Sequence, residues 1–429
     1  MRSKKYIMSL VTTYLCYFTH GMQALILSQN MPYFYEKWGY TDATAGAAAV
    51  SLAITATGFG KFVSVWIGGE VSDKIGRKKM AIGGSILYII CFAGLLLSPS
   101  MMIASVCAFM AGVATSGFWD ASLYPAVQEG APKYAGSALL GIKLFVSLAG
   151  IVYPLMVVNF TEMGSPQLNV IIPLVLSVGC LVLAAFSPFA YDDMMKGSND
   201  KEASDGNHSD AIKQEIEAAK AKMLVKPNVL VNFITMFYAF LCMFIMYGAQ
   251  QYTKAFGLSN AGLTELQAAG LTSIYTFGGI IAVVFWAIMM GKLRWNPLKV
   301  LVIDSVFTAL ALASVLIIRH PAVIYASIAA LGFFASGGAL QTGLGLRQLF
   351  CPGPKGRNTG IYYTFMGFAS TFLPFIVSAM TKSVGEKQAI YIMMGLLLVA
   401  ALTATVMMVY LLGQHKKVFG YSAFEKMRD

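Results

Sequence analysis

Hydrophobic residues run through this chain in long segments separated by short polar connections. Segments long enough to cross about 30 Å of hydrocarbon number six in each half of the chain. The predicted spans are 6–34, 45–71, 79–98, 101–128, 136–162 and 168–190, then 227–252, 264–290, 298–318, 321–349, 357–382 and 388–413. The pattern predicts an all-α membrane protein with twelve transmembrane helices in two pseudo-symmetric six-helix bundles.

A polar segment of different composition separates the two sets of spans. It includes a charged, alanine-rich stretch from Asp210 to Lys222, which could form a helix on the surface. The connections on one side of the predicted membrane hold many of the lysines and arginines, so the positive-inside rule places that side, and both termini, in the cytoplasm. The predicted organisation is an N-terminal bundle (1–190), a cytoplasmic linker (191–226), a C-terminal bundle (227–413) and a cytoplasmic tail (414–429).

Composition excludes a soluble globule and several classes of function. The 429 residues are 57% hydrophobic and only 12% charged, which is typical of a membrane protein in a lipid bilayer. The net charge of +11 is concentrated in the connections, so we expect it to set topology rather than to bind nucleic acid. The six cysteines and four histidines have no metal-ligand spacing, and the chain contains no glycine-rich phosphate loop. We therefore expect no cofactor, no metal and no enzymatic activity.

The two halves of the chain contain related sequences. The segment Ala114–Asp120 aligns with Ala335–Gln341, and the alignment continues through the following span of each half. A repeat of this kind is expected of a transporter built from two six-helix bundles around a midplane site. Since Asp120 corresponds to Gln341, the N-terminal bundle carries the charges and the C-terminal bundle carries neutral groups.

A glycine-punctuated cluster of charges joins the second and third spans. Residues 69–78 meet the pattern G-x-x-x-D-[RK]-x-G-R-[RK] at every fixed position. This pattern resembles that of major facilitator transporters, and the resemblance implies a role in conformational gating for Gly69, Asp73, Gly76 and Arg77. Gly69 and Gly76 would permit a close approach and a tight turn.

The resemblance covers essentially the whole chain and extends more narrowly to bacterial inner-membrane transporters of the YdiM/YdiN type. The stretches that carry it are Cys16–Gly21, Gln29–Met31, Ser72–Arg77 and Tyr124–Ala126. It implies a multi-pass monomer in the bacterial inner membrane. The fourth span lacks the arginine that drug and proton antiporters of this superfamily place before its glycines, which weighs against drug efflux.

Four ionisable residues lie at membrane depth. A charge is costly there, so each of these residues is a candidate for a functional role. Lys61 lies about 18 Å from the loop that contains Asp73, at 1.5 Å per residue. Asp120 and Lys143 reach a similar depth on neighbouring helices, so we predict an ion pair between them. Asp120 and His20 are the candidate proton carriers. The alternatives are a lysine that extends to the membrane surface, a purely structural ion pair and a histidine that only packs.

Polar and aromatic side chains around these charges could orient a substrate. The candidate substrate-binding residues are Lys61, Lys143, Asp120, Tyr17, Gln23, Asn30, Trp119, Tyr124, Tyr247, Gln250, Gln251, Gln341, Tyr362 and Tyr363. Each aromatic residue could alternatively serve packing. Asp304 and Arg347 lie nearer the cytoplasmic ends of their helices, and we interpret them as a gate or a structural pair.

The intramembrane charges also indicate the class of substrate. Lys61, Lys143 and Asp120 together leave one positive charge in a medium of low dielectric constant, which favours an anion. We predict a secondary active transporter that takes up a small organic anion, such as a polyhydroxylated or aromatic carboxylate, together with protons. The alternative is efflux of drugs or metabolites by proton antiport, which an apolar cavity with Met290 and Met366 could serve. A transport-inactive nutrient sensor of the same fold is the third hypothesis.

Overall fold

The structure, a computed structural model, describes residues 5–131, 135–198, 216–318, 320–353 and 355–427. These residues are almost entirely helical, and within the same ranges no β-sheet forms. Twelve long helices, α1 to α12, follow the predicted spans and confirm the predicted all-α fold class.

The helices of the first half lie within a residue or a few residues of their predicted spans. They are α1 (Ile7–Gln29), α2 (Ala43–Ile75), α3 (Arg77–Leu97), α4 (Met101–Gly112, Val113–Asp120 and Ala121–Gly130 in succession), α5 (Ala135–Glu162) and α6 (Leu168–Phe186). Short helices follow α1 (Met31–Lys37) and α6 (Ala190–Ser198). Part of the surface helix predicted at 210–222 lies outside the described residues, and residues 216–221 are helical.

The second half repeats this order. Its helices are α7 (Val229–Ser259), α8 (Glu265–Gly291), α9 (Pro297–Ile317), α10 (Pro321–Leu331, Gly332–Ser336 and Ala339–Phe350 in succession), α11 (Lys355–Val384) and α12 (Glu386–Phe419).

Within the described ranges, eleven helices are long and apolar enough to cross a membrane. α1 is the exception among the twelve, because Thr12, Thr13, Thr19, His20 and Gln23 interrupt its apolar sequence. Polar side chains on a membrane helix are retained where they bind one another or a ligand. The polarity of α1 therefore points to a site along this helix.

Local chemistry sets where these helices begin and end. Asp42 precedes α2, and its carboxylate accepts hydrogen bonds from the backbone nitrogens of Thr44 and Ala45 at 3.4 and 2.8 Å, which satisfies donors that the first helical turn leaves open. α2 ends at Gly76, whose φ of 96° lies in the left-handed region that glycine adopts at little cost. The chain turns there and begins α3 at once.

The repeat seen in the sequence is also present in the structure. α4 and α10 each contain a π-helical segment, at Val113–Asp120 and Gly332–Ser336, where one backbone turn is widened. A glycine of α2 and a glycine of α8 pack against the turns that lead into these two segments. A Cβ on Gly60 would overlap the Phe109 carbonyl, and a Cβ on Gly278 would overlap the corresponding Ala329 carbonyl. Close backbone contact of this kind is how membrane helices pack without a hydrophobic driving force.

The helices pack into two compact units. The first contains α1 to α6 together with residues 251–273 and 370–390, and the second contains residues 203–250, 274–369 and 391–429. Hydrogen bonds fasten the two later segments into the first unit: Ser273 Oγ donates to Ile151 O and Ser378 Oγ donates to Ala48 O, both at 2.8 Å.

Candidate functional site

Asp120 lies at the end of the π-helical segment of α4. Its two carboxylate oxygens accept one hydrogen bond each, from Tyr17 Oη at 2.8 Å and from Ser116 Oγ at 2.9 Å. Tyr17 comes from α1 and is 2% exposed. Asp120 is half-buried, and two hydroxyl donors partly stabilise its carboxylate in the charged form. Either hydroxyl can rotate its hydrogen away when the carboxyl takes up a proton.

Lys61 on α2 is the cation that acts electrostatically on Asp120. The two side chains do not form an ion pair within 4 Å among the described residues, so their charges attract each other without direct contact. The space between an ammonium group and a carboxyl in such a pair is where an anion could enter.

The predicted ion pair between Asp120 and Lys143 is not seen in the described part of the chain. Tyr17 and Ser116 occupy the carboxylate oxygens, and the acting cation is Lys61 rather than Lys143. Equal depth on neighbouring helices was the basis of the prediction, but depth does not decide which way a side chain points around the helix axis.

His20 belongs to a second polar cluster next to Tyr17. Its Nδ1 lies 3.0 Å from Tyr88 Oη, which in turn lies 2.5 Å from Thr115 Oγ1. Thr115 gives its hydrogen to Ala111 O at 2.8 Å. Tyr88 is then the donor to Thr115 and accepts from His20 Nδ1–H, so the cluster is satisfied with a neutral imidazole.

Ring contacts join this cluster to Asp120. The Tyr17 ring packs edge-on against His20 at 6.1 Å and against Tyr124 at 5.3 Å between ring centroids. The amide oxygen of Gln23, one turn after His20, lies 3.5 Å from Tyr88 Oη, whose hydrogen goes to Thr115. The structure therefore brings together Tyr17, His20, Gln23, Tyr124 and Asp120 of the predicted set.

Two other candidates in the first half have their polar groups engaged in packing. Trp119 is fully buried, stacks on Tyr88 at 4.2 Å and donates its indole hydrogen to Ala81 O at 3.3 Å. Asn30 is equally enclosed. It donates to Ile26 O and to Tyr153 Oη, and it accepts from Asn169 Nδ2 at 2.8 Å. In this structure both act as helix-packing residues rather than as open ligands.

The candidates from the second half of the chain differ in burial and in their contacts. Tyr362 is buried and donates to Leu340 O at 3.0 Å, and Tyr363 packs edge-on against its ring. Gln341 is exposed, whereas Tyr247 is buried and Gln250 is half-buried. Their arrangement around one ligand stays a prediction.

Gln251 has a different environment, at the end of α7 that belongs to the first unit. Its Nε2 donates to Ala24 O at 2.7 Å. One turn later Lys254, with a side chain 8% exposed, donates to Gln29 O at 3.1 Å and pairs with Glu265 at 3.2 Å. The sequence reasoning missed Lys254 because the predicted span ended at residue 252, before this lysine. We name Gln251, Lys254, Gln29 and Glu265 the outer cluster.

The loop motif forms a network with groups that the sequence pattern did not indicate. The Arg77 guanidinium pairs with Glu129 at 3.0 Å, donates to Ser72 Oγ at 2.7 Å and lies 4.2 Å from the ring centre of Tyr191. Asp192 accepts from the backbone nitrogens of Arg77 and Lys78, both at 3.1 Å. The network connects the ends of α2, α3 and α4 with the helix after α6.

The glycines of the motif differ in their roles. Gly76 makes the predicted tight turn, as its positive φ shows. The predicted close approach at Gly69 is wrong for the described part of the chain, because a Cβ there would meet none of its atoms within 4 Å. The neighbouring Gly68 is the packed one, against Gly117 of α4. The side chain of Asp73 lies outside the described part of the structure.

Asp304 and Arg347, which we interpreted as a gate or a structural pair, form no ion pair with each other in the described part of the structure. Arg347 donates to Asn232 Oδ1 at 3.1 Å and to Thr235 Oγ1 at 3.4 Å. Both carboxyl oxygens of Asp304 are buried, and neither has a hydrogen-bond partner among the described residues. The similar depth of the two residues on α9 and α10 again did not determine contact.

Two related halves of six helices, with a charged and hydrogen-bonded cluster inside the first, define a multi-pass membrane transporter. The chain belongs to the major facilitator superfamily, whose family model matches residues 13–352. It is a secondary transporter of that type.

Curated relatives support the narrower resemblance. Inner membrane transport protein YdiN of Escherichia coli (strain K12) is 26% identical over 410 residues, which cover 95% of this chain and 91% of that protein. Inner membrane transport protein YdiM of the same organism is 28% identical over 377 residues and 86% of each chain. The uncharacterized MFS-type transporter YfkL of Bacillus subtilis (strain 168) is 28% identical over 413 residues, 96% of this chain and 97% of its own.

Solved structures show the same fold. A crystal structure of a D-xylose–proton symporter superposes with a TM-score of 0.67 at 14% identity, covering 94% of this chain and 97% of that one. A POT family transporter in complex with 5-aminolevulinic acid gives a TM-score of 0.65 at 14% identity, with coverages of 94% and 96%.

Proposed function

We propose that this protein takes up a small organic anion, such as an aromatic or polyhydroxylated carboxylate, together with a proton. The observation that carries the proposal is the arrangement around Asp120: a half-buried carboxyl accepts hydrogen bonds from Tyr17 and Ser116 and is attracted, without direct contact, by the charge of Lys61. The bacterial inner membrane is the proposed location, since YdiN and YdiM carry that designation.

Proton and anion binding are coupled by charge in this arrangement. While Asp120 is ionised, its charge balances that of Lys61, and an incoming carboxylate is repelled by one group as much as it is attracted by the other. When Asp120 takes up a proton, Lys61 becomes an uncompensated cation in a medium of low dielectric constant, which a substrate carboxylate can neutralise. Binding of each ligand therefore favours binding of the other, and the effect is reciprocal.

The hydroxyl donors let Asp120 change its protonation state without moving the helices. Tyr17 and Ser116 donate to the ionised carboxylate. After protonation, the carboxyl hydrogen needs an acceptor, and either hydroxyl oxygen can accept it by rotating its own hydrogen away. Tyr17 is then free to donate to the substrate carboxylate next to Lys61.

A binding screen with purified protein tests the class of substrate. Thermal unfolding is measured with benzoate, gluconate, glucose and tetraphenylphosphonium, which represent aromatic acids, polyhydroxylated acids, neutral sugars and lipophilic cations. We expect a carboxylate to raise the unfolding temperature, more strongly at acidic than at alkaline pH. Stabilisation by tetraphenylphosphonium alone would favour proton antiport of drugs and overturn the proposal.

A further inference from the structure

The two halves of the chain fill one equivalent position differently. α3 and α9 are both 21 residues long, and their alignment places Gly84 opposite Asp304. The packed glycines of α4 and α10 fix the same register, with Gly112 matching Gly332. This register differs by one residue from the sequence alignment of Asp120 with Gln341, and it makes Ala339 the counterpart of Trp119.

In the first half the position is full. The ring of Trp119 lies over Gly84 so closely that a Cβ on this glycine would collide with it. The indole hydrogen is satisfied by Ala81 O at 3.3 Å. Glycine on α3 therefore makes room for the indole, and among the described residues the polar group of this side chain has its partner.

In the second half Ala339 takes the place of Trp119 and Asp304 takes the place of Gly84. The alanine leaves a cavity beside the aspartate. It measures about 20 Å³ and is lined by Asp304, Ala339, Tyr238, Cys242 and Thr308 among others. A cavity of this size holds one water molecule when polar groups face it.

Asp304 is the unusual group of this cavity. It is 1% exposed, and neither of its carboxyl oxygens has a hydrogen-bond partner among the described residues. The indole nitrogen of Trp286 on α8 approaches the carboxyl but also lacks a hydrogen bond of normal geometry. Buried polar groups in proteins are almost always paired, so two unpaired carboxyl oxygens of a residue that lines a cavity indicate a missing ligand.

The surroundings of Asp304 decide its charge. The titratable groups that face the cavity are the Tyr238 phenol and the Cys242 thiol of α7, and the lining residues of α10 and α12 are apolar. Among the lining residues that the structure describes, none is a lysine or an arginine. An ionised carboxylate with no hydrogen bond of normal geometry and no cation beside it is strongly disfavoured inside a protein, which favours the neutral acid at Asp304.

We propose that Asp304 is a second proton-binding site, which holds one proton and one water molecule in the cavity next to Ala339. The carboxyl hydrogen is donated to the water, and the water returns its own hydrogens to neighbouring oxygens such as those of Tyr238 and Thr308. The proton is taken from solvent when the carboxylate is open to it and is released by the same route, so no other reactant is needed.

This site lies in the other half of the chain from Asp120 and would allow a second proton to move in each transport cycle. Only this role in the transport cycle rests on the proposed function; proton binding at Asp304 does not. Its protonation state can be measured on purified protein without any substrate, so failure of the Asp304 proposal and failure of anion uptake are distinguishable.

Infrared difference spectroscopy of the carboxyl C=O stretch tests the proposal. Purified Asp120→Asn protein is used as background, so that Asp120 does not contribute. At neutral pH we expect a protonated-carboxyl band that shifts in heavy water and disappears when Asp304→Asn is added. Asp192→Asn is the matched control, because Asp192 accepts two backbone hydrogen bonds outside the cavity and its change should leave the band unaltered.

The asparagine variant should fold, because an amide has nearly the shape of a neutral carboxyl. Should it fail to accumulate, Asp304→Ser and Asp304→Ala remove the same band with less bulk. A band that persists in all Asp304 variants that fold would show that Asp304 is ionised and would overturn the proposal. A sodium-dependent rise in unfolding temperature that Asp304→Asn abolishes would also overturn it, because the site would then bind a metal cation.

Discussion

Tyr17 on α1 and Asp120 on α4 are joined by a hydrogen bond of 2.8 Å between the phenol and the carboxylate. The two residues are more than a hundred positions apart, and the bond ties a polar helix to the π-helical segment of its neighbour. π-Helical turns often occur at functional sites because they redirect a side chain that a regular helix would place elsewhere. Asp120 is the side chain that this turn presents to Tyr17.

Tyr17→Phe tests the role of this bond. The phenol stabilises the ionised form of Asp120, so its loss should let the carboxyl bind a proton at higher pH and move the pH optimum of uptake toward alkaline values. The matched control is Tyr14→Phe on the same helix, which loses a phenol hydrogen bond to Ala138 O at 3.1 Å. Equal pH profiles for Tyr17→Phe and the wild type would contradict the assignment.

The two lysines of the first half should differ in importance. Hydrogen bonds to charged groups contribute about 1.5–3 kcal/mol, so Lys61→Met should weaken binding of the anion about 10- to 100-fold. Lys143→Met leaves both hydrogen bonds of Asp120 in place and should weaken binding less. Titration calorimetry with the carboxylate found in the screen gives both affinities. A larger loss of affinity for Lys143→Met than for Lys61→Met would contradict this order and support the predicted ion pair of Lys143 with Asp120.

The two glycines of the loop motif should respond to alanine in opposite directions. Gly76→Ala forces a side chain into the left-handed region, at a cost of about 1–2 kcal/mol, and its Cβ would also meet Asp192. Gly69 lies inside α2, and a Cβ there would meet no atom of the described residues within 4 Å. Gly69→Ala should therefore be neutral or stabilising by about 0.5–1 kcal/mol. Thermal unfolding in detergent measures both. Comparable destabilisation at the two positions would show that Gly69 is packed.

The outer cluster should control exchange between states rather than affinity. Lys254→Met leaves Gln29 O without its donor and Glu265 without its partner, which should destabilise the described conformation by about 1–3 kcal/mol. Lys387→Met, at an exposed position on α12, is the control. Labelling of single cysteines placed along α7 reports accessibility. Unchanged labelling rates in Lys254→Met, relative to Lys387→Met, would remove the outer cluster from the conformational cycle.

The sequence predicted the fold well because its strongest signal, the length of the apolar segments, is set by the thickness of the membrane. Each predicted span contains a helix, and the loop motif gave the turn at Gly76. The ionisable residues Asp120, Lys61 and His20 were found because charges inside a membrane are rare.

Contacts between helices were harder to predict. Asp120 bonds to Tyr17 and Ser116 rather than to Lys143, because the π-helical turn changes the direction of α4 side chains in a way that spacing cannot show. Asp304 and Arg347 lie on neighbouring helices but point to different groups. Lys254 was overlooked because α7 continues to Ser259, past residue 252, where the predicted span ended.

Uptake into proteoliposomes by wild type and Asp120→Asn tests the central claim most directly. With an inward proton gradient, the wild type should accumulate the carboxylate identified in the binding screen, and a protonophore should abolish the accumulation. Asp120→Asn should still exchange labelled for unlabelled substrate across the membrane but should not accumulate it against a gradient. Accumulation by Asp120→Asn equal to that of the wild type, or accumulation driven by sodium and indifferent to pH, would contradict the account.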